Sequence, residues 1–170
     1  MESVDFLYPE DSGERYRLLY RQMEALLEGE HDWAANLANA AALLNGALQN
    51  INWVGFYRMV NGELLLGPFQ GKPACVHIAV GRGVCGAAVQ QNAVQIVPDV
   101  HRFAGHIACD SGSASELVIP LRQGEEIVGV LDIDSPIVSR FGEEDARELE
   151  KIADRIAEAC VWPENVNISQ

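Results

Sequence analysis

Apolar residues recur at helical spacing in three stretches of the chain. Tyr16, Leu19, Tyr20, Met23 and Leu27 share one face of a helix expected from about Ser12 to Glu28, with Ser12 as its N-cap and Gly29 as its stop. Trp33, Leu37, Leu44 and Leu48 form a stripe on a second helix, from about Asp32 to Leu48, whose many alanines allow close packing. Leu149, Ile152, Ile156 and Cys160 mark a third, from about Glu143 to Val161. Glu143, Glu144 and Asp145 stand in its first turn, where the helix dipole favours anions. Between these helices strand signals dominate. Ile51 to Met59 is rich in aromatic and β-branched residues, and Asn61-Gly62 reads as a two-residue hairpin turn into Glu63–Leu66. Further strands are expected at Cys75–Val80, Val94–Val97, Glu116–Leu121 and Ile127–Asp134, the last two joined through Gly124, with a short helix at Val84–Gln91. Residues 99–115 show little periodicity and read as a long loop, a feature that in compact domains usually serves function.

Two helices, then strands interrupted by a short helix and a loop, then one helix: this order predicts an α+β fold. A mainly antiparallel central sheet should carry helices on one face and ligand loops on the other. The 170 residues suit one domain, placed at 12–162 between a polar lead-in at 1–11 and a polar tail at 163–170. A domain of this size buries about 70% of its unfolded surface and needs no disulfide or metal staple. The charge balance, 12 basic against 25 acidic residues for a net −13, argues against a nucleic-acid or anionic-membrane partner. No apolar run reaches the roughly 18 residues of a membrane span, since Asn36, Asn39 and Asn45 break the richest stretch. The first residues carry no basic segment of a secretory signal, so a cytoplasmic location is expected. In that reducing compartment cysteines act as thiols, ligands or redox groups more often than as structural bridges.

Cys75, Cys85, Cys109 and Cys160 contain no C-x-x-C pair. His77, His101 and His106 lie near them, but the spacings match no standard pattern, and no metal is expected. Cys160 falls on an apolar helical stripe and reads as a small hydrophobe, a reading Cys85 tolerates. Cys109 does not fit it: lying in the long loop between Ala108 and Asp110, it stands where a reactive thiol would be placed. The run Gly81-Arg82-Gly83-Val84-Cys85-Gly86 matches G-x-G-x-x-G but lacks the βαβ unit and the later acidic residue of a dinucleotide site. It reads as a tight strand-to-helix turn whose backbone N–H groups can receive a small anion such as a carboxylate. Asp132 and Asp134 interrupt an apolar strand two residues apart, so they share a sheet face, and Glu116 opens the strand expected to pair with it. Three acids on one face point to a cationic ligand, a metal or a shared proton, unless the face is simply solvated. Trp53 and Tyr57 alternate with core positions and are either plain core or the wall of an apolar pocket.

The strings Ile51-Asn52-Trp53-Val54-Gly55-Phe56-Tyr57, Leu66-Gly67-Pro68-Phe69-Gln70-Gly71-Lys72, Gly81–Gly86, Gly105-His106-Ile107-Ala108-Cys109-Asp110 and Gly129-Val130-Leu131-Asp132-Ile133-Asp134-Ser135 together resemble the free methionine-(R)-sulfoxide reductases, which are built on a GAF domain. The resemblance implies that Cys109 attacks the sulfoxide sulfur and becomes a sulfenic acid, that Cys75 resolves it as a disulfide, and that Cys85 is a third cysteine near the site. It implies that Glu116, Asp132 and Asp134 hold the substrate and assist protonation, with Trp53 and Tyr57 facing it. No bound cofactor is implied; thioredoxin, with NADPH behind it, is the external reductant. A homodimer is compatible with the apolar surface of the first two helices.

That chemistry stands on its own terms. A sulfoxide oxygen leaves only once protonated, so a soft nucleophile and an acid must act together. An unperturbed cysteine is only about 3% thiolate at pH 7, and clustered carboxylates resist ionising together and retain a proton. Remaining negative charge can pair with the ammonium group of a free amino acid. The assignment expected is Glu116 with Asp134 for the proton and Asp132 for the ammonium. The rival readings are a non-catalytic GAF module that senses a small ligand and a thiol-based redox sensor.

Overall fold

The computed structural model describes residues 7–105 and 112–163. Its elements are α1 (Ser12–Leu27), α2 (Trp33–Ala47), β1 (Trp53–Val60), β2 (Glu63–Gln70), β3 (His77–Ala79), α3 (Gly83–Gln91), β4 (Gln95–Val97), a 3-10 turn (Val100–Arg102), β5 (Ser115–Gln123), β6 (Glu126–Ser135) and α4 (Glu143–Ala159). The strands make one sheet in the order β3-β2-β1-β6-β5-β4, and each pairing is antiparallel. Asn61 and Gly62 both adopt positive φ, 52° and 81°, as a two-residue turn matched to strand twist requires. The expected lead-in and tail fall mostly on 1–6 and 164–170, outside the described residues.

Alternation along the strands sorts side chains between two layers. Val54, Phe56, Leu117, Ile119, Leu121, Leu131 and Ile133 point to the face covered by α1, α2 and α4. Trp53, Tyr57, Val118 and Val130 point to the other, where α3 packs with Val84, Cys85 and Ala88. The three long helices thus share one face as expected, and the short α3 joins the loops opposite. Gly83 through Ala88 are all buried, and the exposed polar side chains of α3 stand only at its end, Gln90 and Gln91. It also sits very close to the β3 end: a Cβ on Gly86 would lie 2.5 Å from the carbonyl oxygen of Ala79.

Local chemistry explains two boundaries. Asp11, not Ser12, caps α1, its carboxylate accepting the Glu14 N–H at 2.8 Å, while the Ser12 hydroxyl donates to Glu144. β2 runs four residues beyond the expected Leu66, because Phe69 and Gln70 pair with Gly55 and Val54 across a register shift in which β2 carries one extra residue. The apolar stripes of α1 and α2 that the sequence offers to a dimer are buried in the chain's own core. Among the described residues no helix is long and apolar enough to cross a membrane.

Candidate active site

The α3 face of the sheet holds a cavity lined by Trp53, Tyr57, Cys85, Glu116, Asp132 and Asp134, together with Ser113 and the turn from Arg82 to Val84. Trp53 and Tyr57 project from β1 two pleats apart. Their rings stack with centroids 6.1 Å apart, and Trp53 stacks on Phe69 at 5.2 Å. Gly55 between them makes room, since a Cβ there would meet the Phe69 Cβ at 2.3 Å and the Trp53 ring at 2.7 Å. Each aromatic is buried, yet its polar tip is satisfied. The Trp53 Nε1–H donates to the Lys72 carbonyl at 3.1 Å and the Tyr57 hydroxyl to the Cys75 carbonyl at 3.0 Å. The two hydrogen bonds tie the segment that carries Cys75 to the cavity wall.

The three acids come together as the period-two argument requires. Glu116 on β5 stands opposite Asp134 on β6, and Val118 opposite Asp132, so all three carboxylates share the α3 side. Glu116 and Asp132 are buried and Asp134 is half-buried. Glu116 hydrogen-bonds to Asp132, its diagonal neighbour, and Asp132 also hydrogen-bonds to the Cys85 thiol. Glu116 thus faces Asp134 across the ladder and bonds to Asp132 on the diagonal. Burial first, then the charges of Asp132 and Asp134, push the Glu116 carboxyl well above the usual carboxylate range. Burial also raises Asp132, against the opposing effect of its hydrogen bonds to Glu116 and Cys85. Cys85 is raised by burial and by the surrounding carboxylates, which disfavour its thiolate. The arrangement favours the protonated over the ionised form of each of these groups.

Of the other sequence candidates, Cys75 lies between β2 and β3 and is held in a disulfide, whereas Cys85 and Cys160 are free, buried thiols. Cys109 and His106 lie outside the described residues. Cys160 follows α4 in the helical core, where burial pushes its thiol up to about 11, in keeping with a structural role. His77 is exposed beside Glu63 on the outer strand pair, 2.7 Å from its carboxylate, and is not part of the cavity. Ser113 was not singled out from the sequence. Its buried Oγ has no hydrogen-bond partner, and the only signal for it was its place in the loop before β5. At α3 the N-cap Arg82 makes no side-chain capping bond, so the first turn presents its N–H groups beside the cavity.

A GAF-domain family model matches residues 22–160. Free methionine-R-sulfoxide reductase of Escherichia coli is 54% identical over 139 residues, 82% of this chain and 84% of that protein. The chain belongs to the free methionine-R-sulfoxide reductase family of GAF-domain proteins. Among solved structures, the reduced form of fRMsr of Staphylococcus aureus is 53% identical with a TM-score of 0.83, covering 85% of this chain and 94% of that one. Free methionine-R-sulfoxide reductase from Neisseria meningitidis, in complex with its substrate, is 42% identical with a TM-score of 0.87, covering 90% and 92%. Family membership accounts for the sheet order and the α3 turn together: both frame the wall on which the acids stand.

Proposed function

We propose that this protein reduces free L-methionine-(R)-sulfoxide to methionine at the expense of thiols. The observation that carries the reading is the buried Glu116–Asp132 pair, whose desolvation raises its proton affinity, set beside stacked aromatics and a cysteine-bearing segment in one cavity. The names of the Escherichia coli relative and the Neisseria meningitidis neighbour support it.

In the proposed mechanism the Cys109 sulfur attacks the sulfoxide sulfur. The oxygen takes a proton from the Glu116–Asp132 pair, whose desolvation favours the protonated form. Methionine leaves, and the oxygen remains on Cys109 as a sulfenic acid. The Cys75 thiol then attacks that sulfur, water departs, and a Cys75–Cys109 disulfide closes. An external dithiol, thioredoxin with NADPH as the electron source, reduces the disulfide. The sum is sulfoxide plus two thiols giving methionine, a disulfide and water. Asp134, the least buried of the acids, pairs with the substrate ammonium, and the first N–H groups of α3 receive its carboxylate. A methionine within a peptide has neither charge and leaves both subsites unpaired. Trp53 and Tyr57 wall the thioether end.

The deciding experiment is turnover of the free sulfoxide with dithiothreitol by the intact protein and by Cys109→Ser. Turnover that disappears in the variant is the expected result. A folded, fully reduced protein without turnover would return the chain to the class of GAF ligand-binding modules, and oxidation by peroxide alone would make it a redox sensor.

A further inference from the structure

Cys85, Glu116 and Asp132 reach the cavity from α3, β5 and β6, and each offers one ligand atom to the same buried volume. The Cys85 Sγ and one oxygen from each carboxylate all lie within 4.8 Å of one another. Zinc bonds of about 2.0–2.3 Å place tetrahedral ligands roughly 3.5 Å apart, so a modest contraction suffices. A second observation is independent of the cluster. The Ser113 Oγ, on a residue only 6% exposed, lines the cavity with no hydrogen-bond partner. The Asp132 Oδ1 is likewise buried and unpartnered. Native structures leave few such atoms unsatisfied, and here two border one cavity.

The donor set selects its ligand. One thiol sulfur with two carboxylate oxygens, and a hydroxyl or water as fourth ligand, suits a borderline-soft cation; magnesium and calcium prefer an all-oxygen shell. Asp134 adds negative charge at the wall, and among the described lining residues Arg82, exposed at the rim, is the one cationic side chain. We propose that Cys85, Glu116 and Asp132 form a binding site for a thiophilic divalent cation of the zinc class, in the place the sulfoxide would occupy, so that metal and substrate exclude each other. The exclusion rests on the reductase reading; the metal site does not. A metal held by Cys85, Glu116 and Asp132 occupies the oxygens that would serve the sulfoxide, so neither carboxyl can act on the substrate while the metal is bound. Zinc then acts as a reversible brake. Cysteine and histidine spacing carries no sign of this set, because its ligands are one thiol and two carboxylates on separate elements.

The test uses the full chain with Cys75 in its disulfide, which keeps that thiol from binding metal. Cadmium serves as the probe, through the ultraviolet charge-transfer band of a thiolate–cadmium bond. The expected result is a saturable band in the parent and in Cys160→Ser, displaced by zinc and not by magnesium. The band should vanish in Cys85→Ser, and Glu116→Gln should weaken binding at least about tenfold. No band, a band that survives Cys85→Ser, or an affinity indifferent to Glu116→Gln overturns the site. Should Cys85→Ser fail to fold by circular dichroism, Asp132→Asn is read beside Glu116→Gln with the same criteria. Saturating free methionine sulfoxide should displace cadmium, and a band it leaves untouched overturns the exclusion. A protein that binds cadmium at Cys85 yet never turns over sulfoxide overturns the reductase reading and leaves the metal site standing.

Discussion

β5 and β6 serve two unlike environments from the same backbone. Toward α1, α2 and α4 they present Leu117, Ile119, Leu121, Leu131 and Ile133, all fully buried among other apolar side chains. Toward α3 they present Glu116, Asp132 and Asp134, two of them nearly as buried, with raised proton affinity and an unpartnered oxygen. The first face lowers the free energy of folding by removing apolar surface from water. The second raises it by desolvating acids. A period-two strand permits this division because neighbours in sequence never compete for the same side of the sheet. The stability gained on one face supports a set of groups on the other that no folding argument alone would select.

The largest effect should come from removing the acid while preserving its shape. Glu116→Gln keeps the volume but gives up the proton, and turnover of the free sulfoxide should fall about 10²–10⁴-fold, the usual range for general acid catalysis. Its stability should move in the opposite direction. Glu116 binds its proton more tightly when folded than when unfolded, where its ordinary value is 4.5. Its contribution is therefore fully present below that value and is lost as pH rises through the elevated folded value. In urea unfolding, the parent should lose stability across that window, and Glu116→Gln should lose markedly less. A variant with parallel pH dependence would show that the site face carries no titratable strain.

Ile119→Ala makes the complementary change three residues away, on the other face of β5. Deleting a fully buried isoleucine side chain should cost about 2–5 kcal/mol in unfolding free energy, with kcat per folded molecule unchanged. A large fall in kcat would mean that the two faces are mechanically coupled through the strand.

This division was legible in the sequence to the extent that it is local. Alternation placed Trp53, Tyr57, Asp132 and Asp134 on one side, and the Asn61-Gly62 turn set the β1–β2 hairpin. What was not legible depends on twist and on contacts between distant segments. The register puts Glu116 opposite Asp134, yet its hydrogen bond goes diagonally to Asp132. Cys85 reads as a hydrophobe in its own segment and becomes an acid's hydrogen-bond partner only because α3 crosses to β6. Ser113 lies in an aperiodic loop, where pattern carries no orientation. The cap of α1 was misplaced by one residue because Asp11 and Ser12 are both good N-caps, and the choice between them is settled by where Glu14 N–H points.

Gly86→Ala tests the crossing of α3 itself. The added methyl would meet the Ala79 carbonyl oxygen, a backbone atom that cannot turn aside. A cost of about 3 kcal/mol is expected, the upper end for overpacking. Because the clash lies under the helix that carries Cys85, turnover should fall as well. Stability lost without any change in turnover would mean that α3 tolerates a shift and does not position the cavity.

The smallest effects come from a matched pair of phenols, one on each face. Tyr16 donates to the Asp145 carboxylate at 2.5 Å, and Tyr57 to the Cys75 carbonyl. A bond to a charged acceptor contributes more than one to a neutral acceptor, so Tyr16→Phe should cost about 1.5 kcal/mol and Tyr57→Phe about 1 kcal/mol. Asp145 keeps Gly142 N–H and Arg140 as partners, which limits the first loss to the bond itself. The functional order should be reversed. Tyr16 touches nothing in the cavity, and its variant should turn over normally. Tyr57 holds the segment bearing Cys75, so its variant should slow closure of the disulfide, read as slower loss of free thiols after a single turnover. Equal thiol kinetics in the two variants would mean that Tyr57 is wall alone, and that the position of Cys75 is set from elsewhere.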